Sequence, residues 1–132
     1  DGMSMMAWKN SKFLVWDVTC PDTLAPSYLN HAVAGPGAVA NVAESRKHAK
    51  YAEISQTHYF VPVAVETIGA MGEEATAFLK DLGGRIAAET KEGRATEFLM
   101  QRVSVAVQRG NATCILGTMS DCSNFEELFY LV

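Results

Sequence analysis

Four side chains in this sequence have the types and spacing for phosphoester chemistry: Asp1, Asp17, Lys47 and Lys50. Hydrolysis of a phosphodiester near neutral pH calls for a divalent metal that polarises the phosphate and lowers the pKa of a bound water. A nearby cation must also stabilise the developing negative charge. Hard Mg²⁺ (or Mn²⁺) takes oxygen ligands, usually one or two carboxylates, and keeps several waters. Asp1 and Asp17 are the candidate carboxylates, and Lys47 or Lys50 the candidate cation.

Asp17 stands out because it interrupts the run Phe13-Leu14-Val15-Trp16, and a buried carboxylate is costly unless it is paired or binds a metal. Its plainer reading is a strand-end acid paired with an arginine such as Arg46. Glu66, between Val65 and Thr67, is a second candidate for a metal-facing acid. His31, His48 and His58 lack metal-ligand spacing. Gly35-Pro36-Gly37 lacks the Lys-Ser/Thr ending of a phosphate loop.

These residues need elements to position them. Met3 to Lys9 and Phe13 to Thr19 are rich in aromatic and β-branched residues around the polar Asn10-Ser11-Lys12, a hairpin pattern. Both faces of each strand are largely apolar, as expected where helices cover both sides of a sheet. If Met3 lies opposite Asp17, Asp1 falls on the same face, about 7 Å further along at ~3.4 Å per residue. A register slipped by one residue would send the two acids to opposite faces.

Pro21 through Gly37 reads as a loop, and Ala38 to Ser55, free of Gly and Pro, as a helix. The 3.6 period sets Lys47 beside Lys50 and Tyr51 on one face of that helix. His58 to Ile68 reads as a strand, with Pro62 marking an edge or a bulge. Two further helices are expected, Glu73 to Lys91, split or kinked by Gly83-Gly84, and Ala95 to Arg109, capped by Gly110-Asn111. The fold class is α/β, a small central mixed β-sheet flanked by helices.

With 132 residues, 48% hydrophobic and 20% charged, the chain has a single domain's size and a globular balance. No apolar run approaches the ~20 residues of a membrane span, so no membrane partner is expected. The odd cysteines Cys20, Cys114 and Cys122 lack paired spacing and fit reduced thiols in an intracellular setting. A net charge of −4 argues against strong binding of DNA by this piece alone, since Lys and Arg contacts to phosphates supply most non-specific affinity. The start at Asp1-Gly2 reads as the cut end of a longer polypeptide.

The order Asp1-Gly2, Trp16-Asp17-Val18-Thr19, Lys47-His48-Ala49-Lys50-Tyr51, Phe60-Val61-Pro62-Val63 and Gly69 resembles the restriction-like endonuclease domain of non-LTR retrotransposons. Such domains belong to the PD-(D/E)xK nuclease superfamily and sit at the C-terminal end of a reverse-transcriptase polyprotein. The segments Phe98-Leu99-Met100-Gln101-Arg102 and Gln108-Arg109-Gly110-Asn111-Ala112 resemble the tail that follows. The resemblance covers residues 1–117, leaving 118–132 as a C-terminal tail. It implies a restriction-endonuclease-like fold incomplete at its N-terminus and Mg²⁺-dependent nicking of DNA to prime reverse transcription. Asp1 and Asp17 would be the acids, with Lys47 or Lys50 as the lysine, because Thr19 stands where the superfamily usually has one. It further implies partner reverse-transcriptase and nucleic-acid-binding domains and action in the nucleus. The alternative is a catalytically inactive remnant that serves as an interaction or scaffold module.

Overall fold

The structure, a computed structural model, describes residues 1–118. The tail expected over 118–132, with its Phe125-to-Leu131 apolar pattern, lies outside the described residues apart from Thr118.

Strands β1 (Gly2–Lys9) and β2 (Lys12–Thr19) form the expected antiparallel hairpin. The turn is two residues, tighter than the polar triplet suggested. Asn10 and Ser11 both sit at positive φ, 50° and 58°, the backbone whose twist matches that of the flanking strands. The register between Met3 and Ala7 shifts. There the Ser4 hydroxyl accepts the Leu14 N–H (2.9 Å) and donates to the Met6 carbonyl (2.6 Å), filling the gap in the ladder. Met5 and Met6 in that irregular stretch are exposed, so the expectation that helices cover both faces of every strand fails for β1.

Strand β3 (Tyr59–Ala64) lies parallel to β2, with Asp17 opposite Pro62, and completes a three-stranded mixed sheet of order β1-β2-β3. Pro62 is thus on an edge strand, where the missing N–H costs no ladder bond. Strand periodicity divides the residues of β2 and β3 between two faces. Leu14, Val61 and Val63 face the helix α4 (Glu73–Thr90) and form a core with Ala75. Ala64 faces the helix α2 (Ala38–Lys50) and packs against Ala40 and Ala43. The short helix α1 (Leu29–Ala32) falls within the expected loop.

The single helix expected from Ala38 to Ser55 is broken at Tyr51, and α3 (Ala52–Thr57) follows. Tyr51 leaves helical geometry (φ −110°, ψ 29°), and its carbonyl accepts the N–H groups of Ile54 and Ser55. Its ring packs 5.3 Å from Phe60. With no Gly or Pro at the break, nothing local announces it.

Gly83-Gly84 does not split α4, which runs unbroken to Thr90. Gly83 instead lets the helix α5 (Ala95–Gly117) approach, since a Cβ there would stand 2.6 Å from Thr96 Oγ1 and 2.7 Å from Thr96 Cα. A Cβ at Gly84 would meet open space. Gly83→Ala is therefore expected to destabilise the fold by about 1–3 kcal/mol through overpacking. Gly84→Ala, in contrast, should stabilise it by about 0.5–1 kcal/mol through helix propensity. Urea melts of the two variants check this opposition.

Gly110-Asn111 does not end α5. The Asn111 side chain donates to the Thr67 carbonyl (2.5 Å) and Gln108 to that of Ile68 (3.3 Å), so these polar residues tie the helix to the loop after β3. No helix among the described residues is long and apolar enough to cross a membrane.

Candidate active site

Asp17 sits on the central strand, on the face covered by α2, and is only 8% exposed. The last turn of α2 brings Lys47 over it, with Nζ 2.7 Å from Asp17 Oδ2. That contact is an ion pair at hydrogen-bonding distance, and among the described residues Oδ2 has no other side-chain partner. The Asp17 carboxylate beside it holds the Lys47 ammonium above its ordinary pKa, against a smaller opposing effect of burial. The arginine suggested for Asp17 is elsewhere: Arg46 donates to the Tyr28 hydroxyl (2.8 Å) and stacks on that ring.

Lys50, one turn on, is exposed, with Nζ 4.9 Å from the centre of the Tyr51 ring, whose other cation neighbour is Lys47 at 5.8 Å. Of the two candidate lysines, Lys47 meets the acid and Lys50 does not.

Asp1 reaches the same end of β2, but not in the expected register. Gly2 pairs with Trp16 and Met3 with Val15, so Met3 lies two residues from the position expected for it. A shift of two preserves the face, and continuing the ladder one step sets Asp1 across from Asp17. Asp1 Oδ1 accepts the Val18 N–H at 2.9 Å, which anchors it beside the second acid. From Asp1 an open groove of about 650 Å³ runs over Met3 and Val15 to Ile54 and His58.

Two other buried carboxylates hold this geometry in place. Helix α2 starts after Gly37 and α4 after Gly72, and neither glycine offers a side-chain cap. Glu66 caps α2 from β3's side by accepting the N–H groups of Val39 (3.0 Å) and Ala40 (3.2 Å). The acid considered as metal-facing is thus seen in the structure as a helix cap. Glu44 reaches from α2 to accept the N–H groups of Glu74 (3.1 Å) and Ala75 (2.9 Å). Burial pushes the Glu44 carboxyl above its usual pKa, while those N–H groups hold it down. Each acid stabilises a positive helix end, and together they lock α2, and so Lys47, against the sheet. Glu44 escaped the sequence reading. The available signal was a helix starting Gly72-Glu73-Glu74 without a capping side chain, which requires an acceptor from elsewhere.

No family model, curated protein or solved structure matches the chain. Its chemistry rests on the site alone. Among the described residues no three His, Cys, Asp or Glu side chains gather in a metal-binding group. A hard divalent ion asks for less, one or two carboxylates plus water and substrate oxygens. The residues that could offer oxygens to such an ion are Asp17, whose buried Oδ2 meets Lys47, and Asp1, whose Oδ1 accepts the Val18 N–H.

Proposed function

We propose that this chain is a restriction-endonuclease-like domain of the kind carried by non-LTR retrotransposons, and that it nicks one DNA strand. The nick's 3′ hydroxyl would prime reverse transcription. The observation that carries the reading is the pairing of Asp17, buried on the central strand, with Lys47 from the covering helix at 2.7 Å. The order of motifs along the sequence supports it. Asp17 and Asp1 would hold Mg²⁺ or Mn²⁺, which supplies a polarised phosphate and a more acidic water. Lys47 turns its ammonium to a non-bridging phosphate oxygen and offsets the charge that develops there. The open groove beside Asp1 gives the strand a path over the same face. With a net charge of −4, affinity for DNA comes from the reverse-transcriptase and nucleic-acid-binding domains of a parent polyprotein, acting in the nucleus.

A thermal melt of the chain with and without Mn²⁺ tests this. An ion that binds only the folded state adds about 2.7 kcal/mol at a hundredfold excess over its Kd, a rise of several degrees. Asp17→Ala should abolish the rise. The competing reading, an inactive remnant kept as an interaction module, draws on the same ion pair, because Lys47 already balances Asp17 without a metal. No rise in either protein, together with no nicking of supercoiled DNA, would favour the remnant.

A further inference from the structure

Helix α5 has little buried hold on the rest of the fold beyond its start. Among the described residues Ala95 is its one buried side chain. Farther along, Gln108 and Asn111 tie it to the loop after β3. That loop also meets the segment that follows β2. The Thr67 hydroxyl donates to the Pro21 carbonyl (3.4 Å) and accepts the Thr23 N–H (3.4 Å), while the Thr67 carbonyl accepts the Asn111 amide.

Thr67 is thus a common neighbour of two cysteine-bearing segments. Cys20 directly precedes Pro21, and Cys114 stands one helical turn beyond Asn111, on the same side of α5. Both are free and exposed. The thiols are near enough to feel each other: that of Cys20 is pushed above its ordinary pKa, first by burial of the sulfur and then by the Asp22 carboxylate and the Cys114 thiol. Among the described residues no three His, Cys, Asp or Glu gather in a metal-binding group there. What two accessible neighbouring thiols can do without a metal is exchange with a disulfide.

We infer that Cys20 and Cys114 form a reversible disulfide that fastens α5 to the end of β2. The oxidant is a small-molecule disulfide of the glutathione type. The Cys114 thiolate attacks one of its sulfurs and releases the first small thiolate. Cys20 then attacks the Cys114 sulfur of the mixed disulfide and releases the second. The oxidant's S–S bond breaks and the protein's forms; the two cysteines give up two electrons and two protons, which leave on two small thiols. The order follows from the thiolate being the attacking form. A raised pKa keeps Cys20 protonated against a dilute oxidant, whereas a mixed disulfide held beside it reacts as a neighbour. The bond closes a loop from residue 20 to residue 114, and long loops gain most from closure.

The test treats the folded, intact chain with oxidised glutathione at mildly alkaline pH, maps its peptides by mass spectrometry without reduction, and compares thermal melts. A Cys20–Cys114 linked peptide is expected in the wild type and in Cys122→Ser. Tm should rise by about 10 °C and fall back on addition of dithiothreitol. Cys20→Ser and Cys114→Ser, each combined with Cys122→Ser so that the third thiol cannot intercept the adduct, should show no rise. They also read the order of attack: glutathione should add to Cys114 in the first several-fold faster than to Cys20 in the second. Separate glutathione adducts with no Cys20–Cys114 peptide overturn the inference, as does a link to Cys122 in its place. A link that leaves Tm unchanged overturns it too, because such a bond fastens nothing, and equal rates of adduct formation overturn the assigned order. The outcome is the same whether or not Asp17 holds a metal.

Discussion

On the proposed nuclease reading, Asp17→Asn is expected to lower Mg²⁺-dependent nicking of supercoiled plasmid by at least about a thousandfold. The amide keeps the shape of the side chain but removes the negative charge, and with it an anionic ligand whose ion would supply several kcal/mol of transition-state stabilisation. Lys47→Ala should cost about a hundred- to a thousandfold, the usual loss when one positioned electrostatic partner of the transition state is removed. Lys50→Ala is the internal control. Its ammonium lies over the Tyr51 ring away from Asp17, so the rate should fall only as far as one lost phosphate contact weakens DNA binding, and added DNA should restore it. Single-turnover nicking rates at saturating DNA separate the two lysines. Equal losses for Lys47→Ala and Lys50→Ala would contradict the assignment of the lysine to Lys47, and undiminished nicking by Asp17→Asn would remove Asp17 from the site.

What the sequence made legible was set by local pattern. The hairpin and the start of α4 follow from alternation and turn residues and lie within a residue of their expected places, whereas the strand expected over His58 to Ile68 stops at Ala64. Asp17 was legible because an acid in an apolar strand has few reasons to be there. What failed depends on partners distant in the chain. The break at Tyr51 is set by its packing on Phe60, and the continuity of α5 through Gly110 by its long run of helical hydrogen bonds and the Asn111 tie to Thr67. Periodicity set both lysines beside Tyr51 but could not say which faces the acid, because that depends on the angle at which α2 crosses the sheet. The roles of Glu44 and Glu66 were hidden for the same reason, since each caps a helix remote in sequence.

The second large effect is on stability, and it separates a poised site from a passive ion pair. Lys47→Ala should destabilise the fold by about 3 kcal/mol, because it leaves a buried carboxylate without its countercharge. Asp17→Ala should cost less, about 1–2 kcal/mol, since a lysine on a flexible stem can swing its ammonium to water. The double variant should be more stable than Lys47→Ala alone, because no charge is then left buried. Urea melts of the four proteins form the cycle. The pH dependence carries its own sign. The raised pKa of folded Lys47 means that its contribution is complete below the unfolded value of 10.5 and is lost as pH climbs through the higher folded value. An alkaline fall in stability should thus appear in the wild type and vanish in Asp17→Ala. A divalent ion supplies the last step. If Asp17 is a ligand, Mn²⁺ takes the place of the missing ammonium in Lys47→Ala and should raise its melting temperature by more than it raises that of the wild type, where it must compete with the lysine. An ion pair that only holds the helix to the sheet would give Lys47→Ala no such gain.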